Sequence, residues 1–515
     1  MASRPDDASA LRSDTIDESG EAVITRVGGG MLRGSRSGGI VRFLGVPYAA
    51  APFGPLRFAA PAPHPGWSGE RDATRPGATA PQAPYGGGLE RVLPSVEVAG
   101  DEILNVNVWA PEPGQADPTP EFDGVGGPQA PAGGRALQPV LVWVHGGALS
   151  RGANALDSYD GSSFARDGVV FVAINYRLGS EGFSVLEGAP LNLGLLDVIA
   201  ALRWVRREIG AFGGDPGQIT VAGQSAGASL IAAALAHPDG KGLADRAILQ
   251  SGPLAARPRE RAGRITRLIA KDLGIAADRD AFASVAPDEL VAAQLRVTAG
   301  TTPVTGGPGF ALAVGEGLAD PEDVLGAGAA DAIPVLIGST REEARLWLEP
   351  TGLTARISAL HLAAARLSFK IRGATMRVYR RNRPGASRGE LFGALATDLL
   401  LRLPINRFAD ARLGRGAATW VYEFGWSSPR LGLGAAHCME LPAVFDRLDA
   451  ADALALTGGA APESLAGEMH GAWVAFATQG DPGWERWTAE RPVRTFDAQT
   501  RTVLAPREDE RACWD

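Results

Sequence analysis

Cysteine and lysine are both scarce in this chain of 515 residues. Its two cysteines, Cys438 and Cys513, are too few to form a disulfide framework, so the fold does not depend on one. The three lysines, Lys241, Lys271 and Lys370, stand against many arginines. We interpret that imbalance as a composition bias of a GC-rich bacterial genome and not as a feature of the mechanism.

Long apolar runs and an excess of positive charge are also missing. No stretch approaches the ~18 consecutive apolar residues of a membrane span, and the polar first thirty residues lack the apolar run of a signal peptide. The net charge is −8, whereas a nucleic-acid-binding protein typically carries an excess of basic residues. The sequence therefore predicts a cytoplasmic protein with no membrane span and no nucleic-acid partner, and it leaves the oligomeric state open.

The composition, 45% hydrophobic and 21% charged, is typical of a globular protein. Residues 1–20 are predicted to be a disordered leader, and residues 21–510 a single domain. Within it, the Pro- and Gly-rich stretch 111–139 predicts a surface loop. The mainly helical patterns at 260–330 and 355–430 are candidates for a cap over the site.

Short apolar runs alternate with helical spacing through the middle of the chain. The strand-like runs lie at 140–144, 169–175, 219–222, 246–250 and 333–338, and the helical patterns at 195–209 and 226–236. This alternation predicts an α/β fold with a large, mostly parallel sheet covered by helices on both faces. Runs at 22–27 and 39–43 predict a small antiparallel sheet at its N-terminal edge, and the glycines at 28, 29, 30 and 34 are interpreted as a turn.

Residues 223–227 read Gly-Gln-Ser-Ala-Gly, which matches the G-x-S-x-G pattern of a nucleophile elbow. A strand pattern precedes Ser225 and an Ala-rich helical pattern follows it, which is the strand–turn–helix context that the motif requires. The small neighbours leave room for a strained turn. The start of the following helix directs free N–H groups at the serine, and the N–H of Ala226 is the first candidate oxyanion donor.

Residues 145–148, His-Gly-Gly-Ala, follow the strand-like run 140–144 and resemble the H-G-G-G loop that supplies further N–H donors. Small residues let the backbone approach a substrate oxygen closely. An ordinary glycine turn is the alternative interpretation for this segment alone. Its occurrence together with the elbow at 223–227 favours an oxyanion loop.

A serine nucleophile needs a base, and six histidines are available. We favour His437, because it lies in a Gly-Ala loop, and loops held by a scaffold commonly carry catalytic groups. The orienting acid is expected between serine and histidine in the chain. Glu342 and Glu343 both follow the strand-like run 333–338, and the residues alone do not decide between them.

Several ordered motifs make the chain similar to the type-B carboxylesterases, the family of the bacterial para-nitrobenzyl esterases and the cholinesterases. The resemblance covers residues 22–490, and its motifs lie at 43–49, 104–109, 175–179, 212–216 and 473–482. It implies the α/β-hydrolase fold and a serine esterase that needs neither cofactor nor metal. By position it assigns Ser225, Glu343 and His437 to the catalytic triad, and the N–H groups of Gly147, Ala148 and Ala226 to the oxyanion hole.

The chain departs from this family at a few positions. Ala80 and Ile103 stand where many relatives have a cysteine pair, Ala344 replaces the usual glycine after the acid, and Glu208 replaces a common asparagine. The predicted partners are a small-molecule ester and water. A carbamate or amide hydrolase with the same triad is the alternative, and a non-catalytic cholinesterase-like binding protein is less favoured because all three triad residues are present.

Overall fold

A computed structural model describes residues 20–112, 136–301 and 307–514. The predicted leader, apart from Gly20, lies outside the described residues, as does most of the predicted loop at 111–139. In the described ranges, no helix has the length and apolar composition needed to cross a bilayer.

Thirteen strands of the described chain form one sheet, and two short strands form a second. In chain order the strands are β1 (Glu21–Val27), β2 (Gly30–Ser37), β3 (Ile40–Pro47), β4 (Glu70–Asp72), β5 (Asn105–Pro111), β6 (Gln138–Val144), β7 (Val170–Ile174), β8 (Gly214–Gln224), β9 (Arg246–Gln250), β10 (Arg257–Pro258), β11 (Ala313–Val314), β12 (Val335–Thr340), β13 (Thr419–Phe424), β14 (Pro492–Phe496) and β15 (Arg501–Leu504).

The large sheet has the order β1-β2-β3-β5-β7-β6-β8-β9-β12-β13-β14-β15, with β4 beside β2. All pairs from β7 to β14 are parallel, which confirms the predicted mostly parallel sheet. The predicted N-terminal antiparallel strands are the edge of this same sheet, because β3 pairs with β5 and β5 with β7.

The turn predicted from the first glycines is shorter than expected. Only Gly28 and Gly29 form it, whereas Gly30 and Gly34 lie in strand β2. Gly34 is needed there because a Cβ would collide with the neighbouring strand at Arg42. Glu208 also acts at this turn, since its Oε2 accepts the N–H of Gly28 at 2.9 Å.

The α-helices alternate with the strands or lie between them. They are α1 (Ser162–Arg166), α2 (Gly179–Phe183), α3 (Leu193–Glu208), α4 (Ala226–Ala236), α5 (Arg259–Ala262), α6 (Arg264–Leu273), α7 (Arg279–Ala283), α8 (Pro287–Thr298), α9 (Pro321–Gly326), α10 (Arg345–Leu348), α11 (Leu353–Arg356), α12 (Ala359–Ser368), α13 (Gly373–Asn382), α14 (Arg388–Thr397), α15 (Leu403–Leu413), α16 (Leu441–Val444), α17 (Ala451–Thr457), α18 (Glu463–Gln479) and α19 (Glu508–Ala512).

The core lies on both faces of the sheet, as the alternating side chains of β6 illustrate. Val140 and Val142 pack on one face with apolar residues of α3, α4 and α15, whereas Leu141 and Trp143 pack on the other with α1, α16 and α18. Successive strand residues point to opposite faces, so a strand buried on both faces is apolar throughout.

The segment 260–330 is mainly helical where it is described. The segment 355–430 is helical only up to Leu413, and the prediction of a helical segment fails at Thr419–Phe424, which is strand β13. This strand is fully buried between β12 and β14. Its β-branched and aromatic residues suit such a position.

Candidate active site

The candidate site lies where the parallel strands β6, β8 and β12 end, at the carboxyl edge of the sheet. In open α/β sheets this edge is where ligands bind. Strand β6 leads into the loop at 145–148, β8 into Ser225, and β12 into the turn that carries Glu343.

Ser225 sits at the turn between β8 and α4 with a strained backbone, φ 56° and ψ −123°. Its own N–H donates to the carbonyl oxygen of Gln250 at 2.8 Å, which fixes the turn to the neighbouring strand. A Cβ on Gly227 would collide with the carbonyl oxygen of Val144, and one on Gly223 would lie 2.8 Å from that same oxygen. The two glycines of the motif are therefore required by close backbone approach, and the partly exposed Ser225 projects from the resulting tight turn.

The His-Gly-Gly-Ala loop lies directly beside this turn. A Cβ placed on Gly146 would be 3.1 Å from the Cβ of Ser225. Gly147 has φ +114° and Ala148 has φ 53°, so both residues adopt conformations that L side chains rarely take. The carbonyl oxygen of Gly147 accepts the N–H groups of residues 150 and 151, which closes the loop on itself.

The three backbone amides predicted to hold an oxyanion have no acceptor among the described residues. These are the N–H groups of Gly147, Ala148 and Ala226. Ala226 is the first residue of α4, where a helix leaves its N–H groups unpaired. Free donors next to a nucleophile can bind the negative charge that develops on a carbonyl oxygen.

His145, the first residue of this loop, is a structural histidine. Its ring stacks on Tyr176 with the centroids 4.5 Å apart, and its Nδ1 hydrogen-bonds to the carbonyl oxygen of Gly146 at 2.8 Å. Burial lowers the pKa of His145 to about 4. The imidazole is therefore neutral at physiological pH and shapes the loop without carrying charge.

Glu343 and His437 form a hydrogen-bonded pair inside the protein. Nδ1 of His437 donates to Oε2 of Glu343, while Oε1 of Glu343 accepts the N–H of Thr340 at 2.7 Å. The Glu343 and His437 residues are 1% and 3% exposed, so water does not compete for this contact. Ala344 has ordinary helical angles (φ −64°, ψ −18°), so the alanine in place of glycine does not disturb Glu343.

Glu342, the other acid that the sequence left open, points elsewhere. It pairs with Arg345 at 2.8 Å and accepts the N–H of Ala435 at 3.1 Å. Ala435 belongs to the loop that carries His437. Glu342 thus holds that loop from outside, whereas Glu343 contacts the imidazole.

The second imidazole nitrogen of His437 is engaged by Gln224 and not by Ser225. The Nε2 atoms of His437 and Gln224 are 3.0 Å apart. Because an amide nitrogen only donates, the imidazole Nε2 accepts and its proton is on Nδ1, facing Glu343. In the described part of the chain, no hydrogen bond joins the Ser225 hydroxyl to His437. Gln224 directly precedes Ser225, so Nε2 faces the elbow that carries the serine.

Charge favours the protonated form of His437. Burial by itself lowers the pKa of His437, whereas a negative charge on Cys438 or on Glu343 raises it. Burial raises the pKa of the Cys438 thiol, which is therefore uncharged near neutral pH. The Glu343 carboxylate is thus the charge that stabilises the protonated imidazole and favours proton transfer to it. Trp347 covers the ring, with the two ring centroids 4.8 Å apart.

Sequence reasoning gave no role to Glu440, which the structure places behind this pair. Glu440 is fully buried, and burial together with the charge of Glu343 raises its pKa to about 7. Its Oε1 accepts from the side chain of Gln250 at 3.4 Å, and its Oε2 has no partner in the described ranges. The only sequence signal was its position three residues after His437.

A cleft opens beside these groups. Its wall includes Gly146, Gly147, Gln224 and Cys438. Its apolar lining comes from Tyr85, Leu93, Pro94, Leu156, Tyr159, Leu441, Pro442, Ala453 and Leu456, and Gly152, Ser158 and Asp452 complete it. Such a cleft suits a small organic substrate with a polar reacting group.

The comparisons with known proteins agree with this geometry. A family profile described as the carboxylesterase family matches residues 20–511. The chain is 34% identical to the para-nitrobenzyl esterase of Bacillus subtilis, over 92% of this chain and 93% of that protein. It is 33% identical to the phenmedipham hydrolase of Pseudarthrobacter oxydans, over 90% and 92%. Its structure resembles the crystal structure of a carboxylesterase of Geobacillus stearothermophilus, with a TM-score of 0.82, 33% identity, and coverage of 96% of this chain and 100% of that one.

Proposed function

The chain belongs to the carboxylesterase family and is a serine carboxylesterase, and we propose that Ser225, His437 and Glu343 carry out its reaction. The sequence predicted an enzyme and disfavoured a non-catalytic binding protein. The ester-hydrolysing relatives confirm that prediction. One observation carries the assignment of residues. A buried histidine–carboxylate pair faces a serine elbow, because the imidazole nitrogen opposite Glu343 contacts Gln224, the residue before Ser225.

In the first half of the reaction, the Ser225 oxygen attacks the ester carbonyl carbon while Nε2 of His437 takes the hydroxyl proton. The carbonyl oxygen becomes an oxyanion, which accepts hydrogen bonds from the free N–H groups of Gly147, Ala148 and Ala226. His437 then gives its proton to the departing alcohol as the bond between the acyl carbon and the alcohol oxygen breaks. The acyl group remains on Ser225.

In the second half, His437 takes a proton from water, whose oxygen attacks the acyl carbon. The carboxylic acid leaves, and the proton returns to the oxygen of Ser225. Glu343 keeps the proton of the neutral imidazole on Nδ1 and stabilises the imidazolium that forms in both halves. Each step moves protons between groups of this chain, the ester and water.

Gln224 sets a condition for this reaction. Nε2 of His437 has one lone pair, and the Gln224 amide occupies it. Gln224 must therefore release Nε2 before the Ser225 hydroxyl can donate to it. Catalytic hydrogen bonds commonly form only when substrate is bound, so the rearrangement belongs to substrate binding.

The test is hydrolysis of a short-chain p-nitrophenyl ester by Ser225→Ala. We expect kcat/KM to fall by about 10⁴-fold or more, with an unchanged circular dichroism spectrum. Ser229→Ala is the matched control, because Ser229 lies one helical turn later and donates to the carbonyl oxygen of Pro253. A Ser225→Ala enzyme with near-wild-type turnover would show that another group is the nucleophile.

Carbamate hydrolysis by the same residues is the second candidate function. The similarity to a protein named phenmedipham hydrolase favours it. Turnover of phenmedipham, an aryl carbamate, compared with p-nitrophenyl esters of matched size distinguishes the two. Loss of both activities in Ser225→Ala would assign both to one site.

Two further predictions from the sequence are part of the proposal. The continuous sheet from Glu21 to Leu504 supports the assignment of residues 21–510 to a single catalytic domain. Limited proteolysis tests this, since one domain is expected to lose activity and structure together. The cytoplasmic location stays a prediction for cell fractionation to test.

A further inference from the structure

The forty residues from 350 to 389 differ in charge from the rest of the chain. They contain nine arginines and lysines and no aspartate or glutamate, in a protein whose net charge is −8. They form helices α11, α12 and α13 and the start of α14. This segment of an acidic protein is therefore strongly basic in composition.

The same segment carries the most exposed large apolar side chains of the described chain. Leu360 is 77% exposed, Leu367 83% and Phe369 56%. On α12, Leu360 and Leu367 lie seven residues apart with exposed Ala363 and Ala364 between them, so the four share one face of the helix. We call these four residues together with Phe369 the apolar stripe.

The apolar stripe points away from the protein. The opposite face of α12 carries Leu362, which is buried in a cluster with residues of α13 and α14. The helix begins with a capping box in which Ser358 and His361 satisfy each other's backbone N–H groups. A helix fixed in this way presents its outer leucines to solvent and does not fold them inward.

Cations without acidic partners flank the stripe. Arg366, Lys370, Arg377 and Arg380 are exposed and form no ion pair within the described ranges. A Cβ on Gly373 would lie 3.9 Å from Nη2 of Arg366 and 3.8 Å from Nη1 of Arg377, so these two guanidinium groups are neighbours. Two like charges side by side with no carboxylate form a site for an anion from outside.

We propose that the face formed by α12 and α13 binds the surface of an anionic lipid bilayer, with the apolar stripe in the interface and the flanking cations on the headgroups. An amphipathic helix with leucines on one side and arginines around it has the composition of interfacial helices. Anionic lipids on the cytoplasmic leaflet attract such basic segments. The binding holds the esterase at the surface where apolar esters collect.

Two other occupants fit this face less well. A second copy would place one basic face against another in a symmetric dimer, and like charges across an interface repel. A nucleic acid would use the arginines but not the exposed leucines and phenylalanine. An anionic bilayer satisfies both the cations and the apolar stripe.

The experiment is cosedimentation of the full chain with vesicles of phosphatidylcholine alone or with 30 mol% phosphatidylglycerol, at about 30 mM and about 300 mM salt. We expect binding to the anionic vesicles that weakens at high salt. Each arginine near an anionic surface strengthens binding by about fivefold. The double variant Arg366→Gln with Arg377→Gln is therefore expected to bind the anionic vesicles about 25-fold more weakly. Leu360→Ser combined with Leu367→Ser is expected to weaken binding by at least about tenfold.

Matched controls remove the same residue types from β1 and β15, the two edge strands of the large sheet. They are Arg26→Gln with Arg501→Gln, and Ile24→Ser with Leu504→Ser, all exposed in the structure. These controls are expected to bind vesicles like the wild type, and all variants to keep p-nitrophenyl ester turnover in solution.

Four outcomes would overturn the proposal. The first is that the wild type does not cosediment with anionic vesicles, and the second is that it binds vesicles of phosphatidylcholine alone equally well. The third is that the face variants and their controls lose vesicle binding equally. The fourth is that the wild type is a dimer which the leucine variant converts to a monomer. Binding to duplex DNA that only the arginine variant loses, without vesicle binding, would assign the face to nucleic acid instead.

Discussion

Glu440→Gln is the change whose effect the structure predicts in most detail. The substitution keeps the shape of the side chain and its contact with Gln250, but it removes a group that can ionise. In the folded chain the pKa of Glu440 is about 7, compared with 4.5 for an ordinary glutamate. That difference corresponds to about 3 kcal/mol, because each pKa unit is about 1.4 kcal/mol.

The sign of the effect follows from proton binding. Between pH 4.5 and about 7 the folded chain keeps the Glu440 proton while the unfolded chain has lost it, so the stability of the folded state falls as pH rises through this window. Above pH 7 the full cost is present, since the ionised carboxylate is buried near Glu343. Glutamine does not bear this cost. The variant is therefore expected to gain stability relative to the wild type by about 3 kcal/mol between pH 4.5 and pH 8.

Urea denaturation of wild type and variant at pH 4.5, 6 and 8 measures this change. Glu423→Gln is the control, because burial of Glu423 is outweighed by the guanidinium groups of Arg507 and Arg341, which lower its pKa. Its stability contribution is lost only as pH falls through that lowered pKa. The difference between Glu423→Gln and wild type is therefore expected to stay constant from pH 5 to 8. A Glu440→Gln difference that is equally constant would refute our account of the buried carboxyl group.

Substitutions at two further contacts test the acid of the site and a buried ion pair. Glu343→Ala is expected to lower kcat/KM for a p-nitrophenyl ester by about 10⁴-fold. Glu342→Ala is expected to lower it far less, because Glu342 contacts only the loop that carries His437. A larger loss in Glu342→Ala would show that Glu343 is not the acid that orients the imidazole. Arg177→Met leaves the fully buried Asp197 without its 2.7 Å partner and is expected to cost about 3–5 kcal/mol in urea denaturation. The double variant with Asp197→Leu is expected to recover much of that loss, and no recovery would contradict the ion-pair explanation.

The parts of the fold that the sequence predicted are those with strong local signals. The apolar run at 219–222, the glycines around Ser225 and the following alanines predict strand, turn and helix, and the structure confirms all three. Strand β13 was missed because six residues at the end of a long helical stretch carry little periodic signal. Its strand conformation depends on pairing with β12 and β14, which are distant in the chain.

The candidate site shows the same limit. Chain order and motif position predicted a carboxylate beside His437, and Glu343 lies there. The contact of Gln224 with the imidazole could not be predicted, because a side-chain direction depends on packing between segments 213 residues apart. The raised pKa of Glu440 likewise depends on burial and on the charge of Glu343, which no local pattern contains.

Covalent labelling of the wild-type enzyme with an organophosphate, followed by peptide mass spectrometry, identifies the nucleophile directly. We expect one phosphoryl group per chain, bound to the oxygen of Ser225, with esterase activity lost in proportion to labelling. Activity lost through a label on any other residue, or full activity in a chain labelled at Ser225, would contradict it.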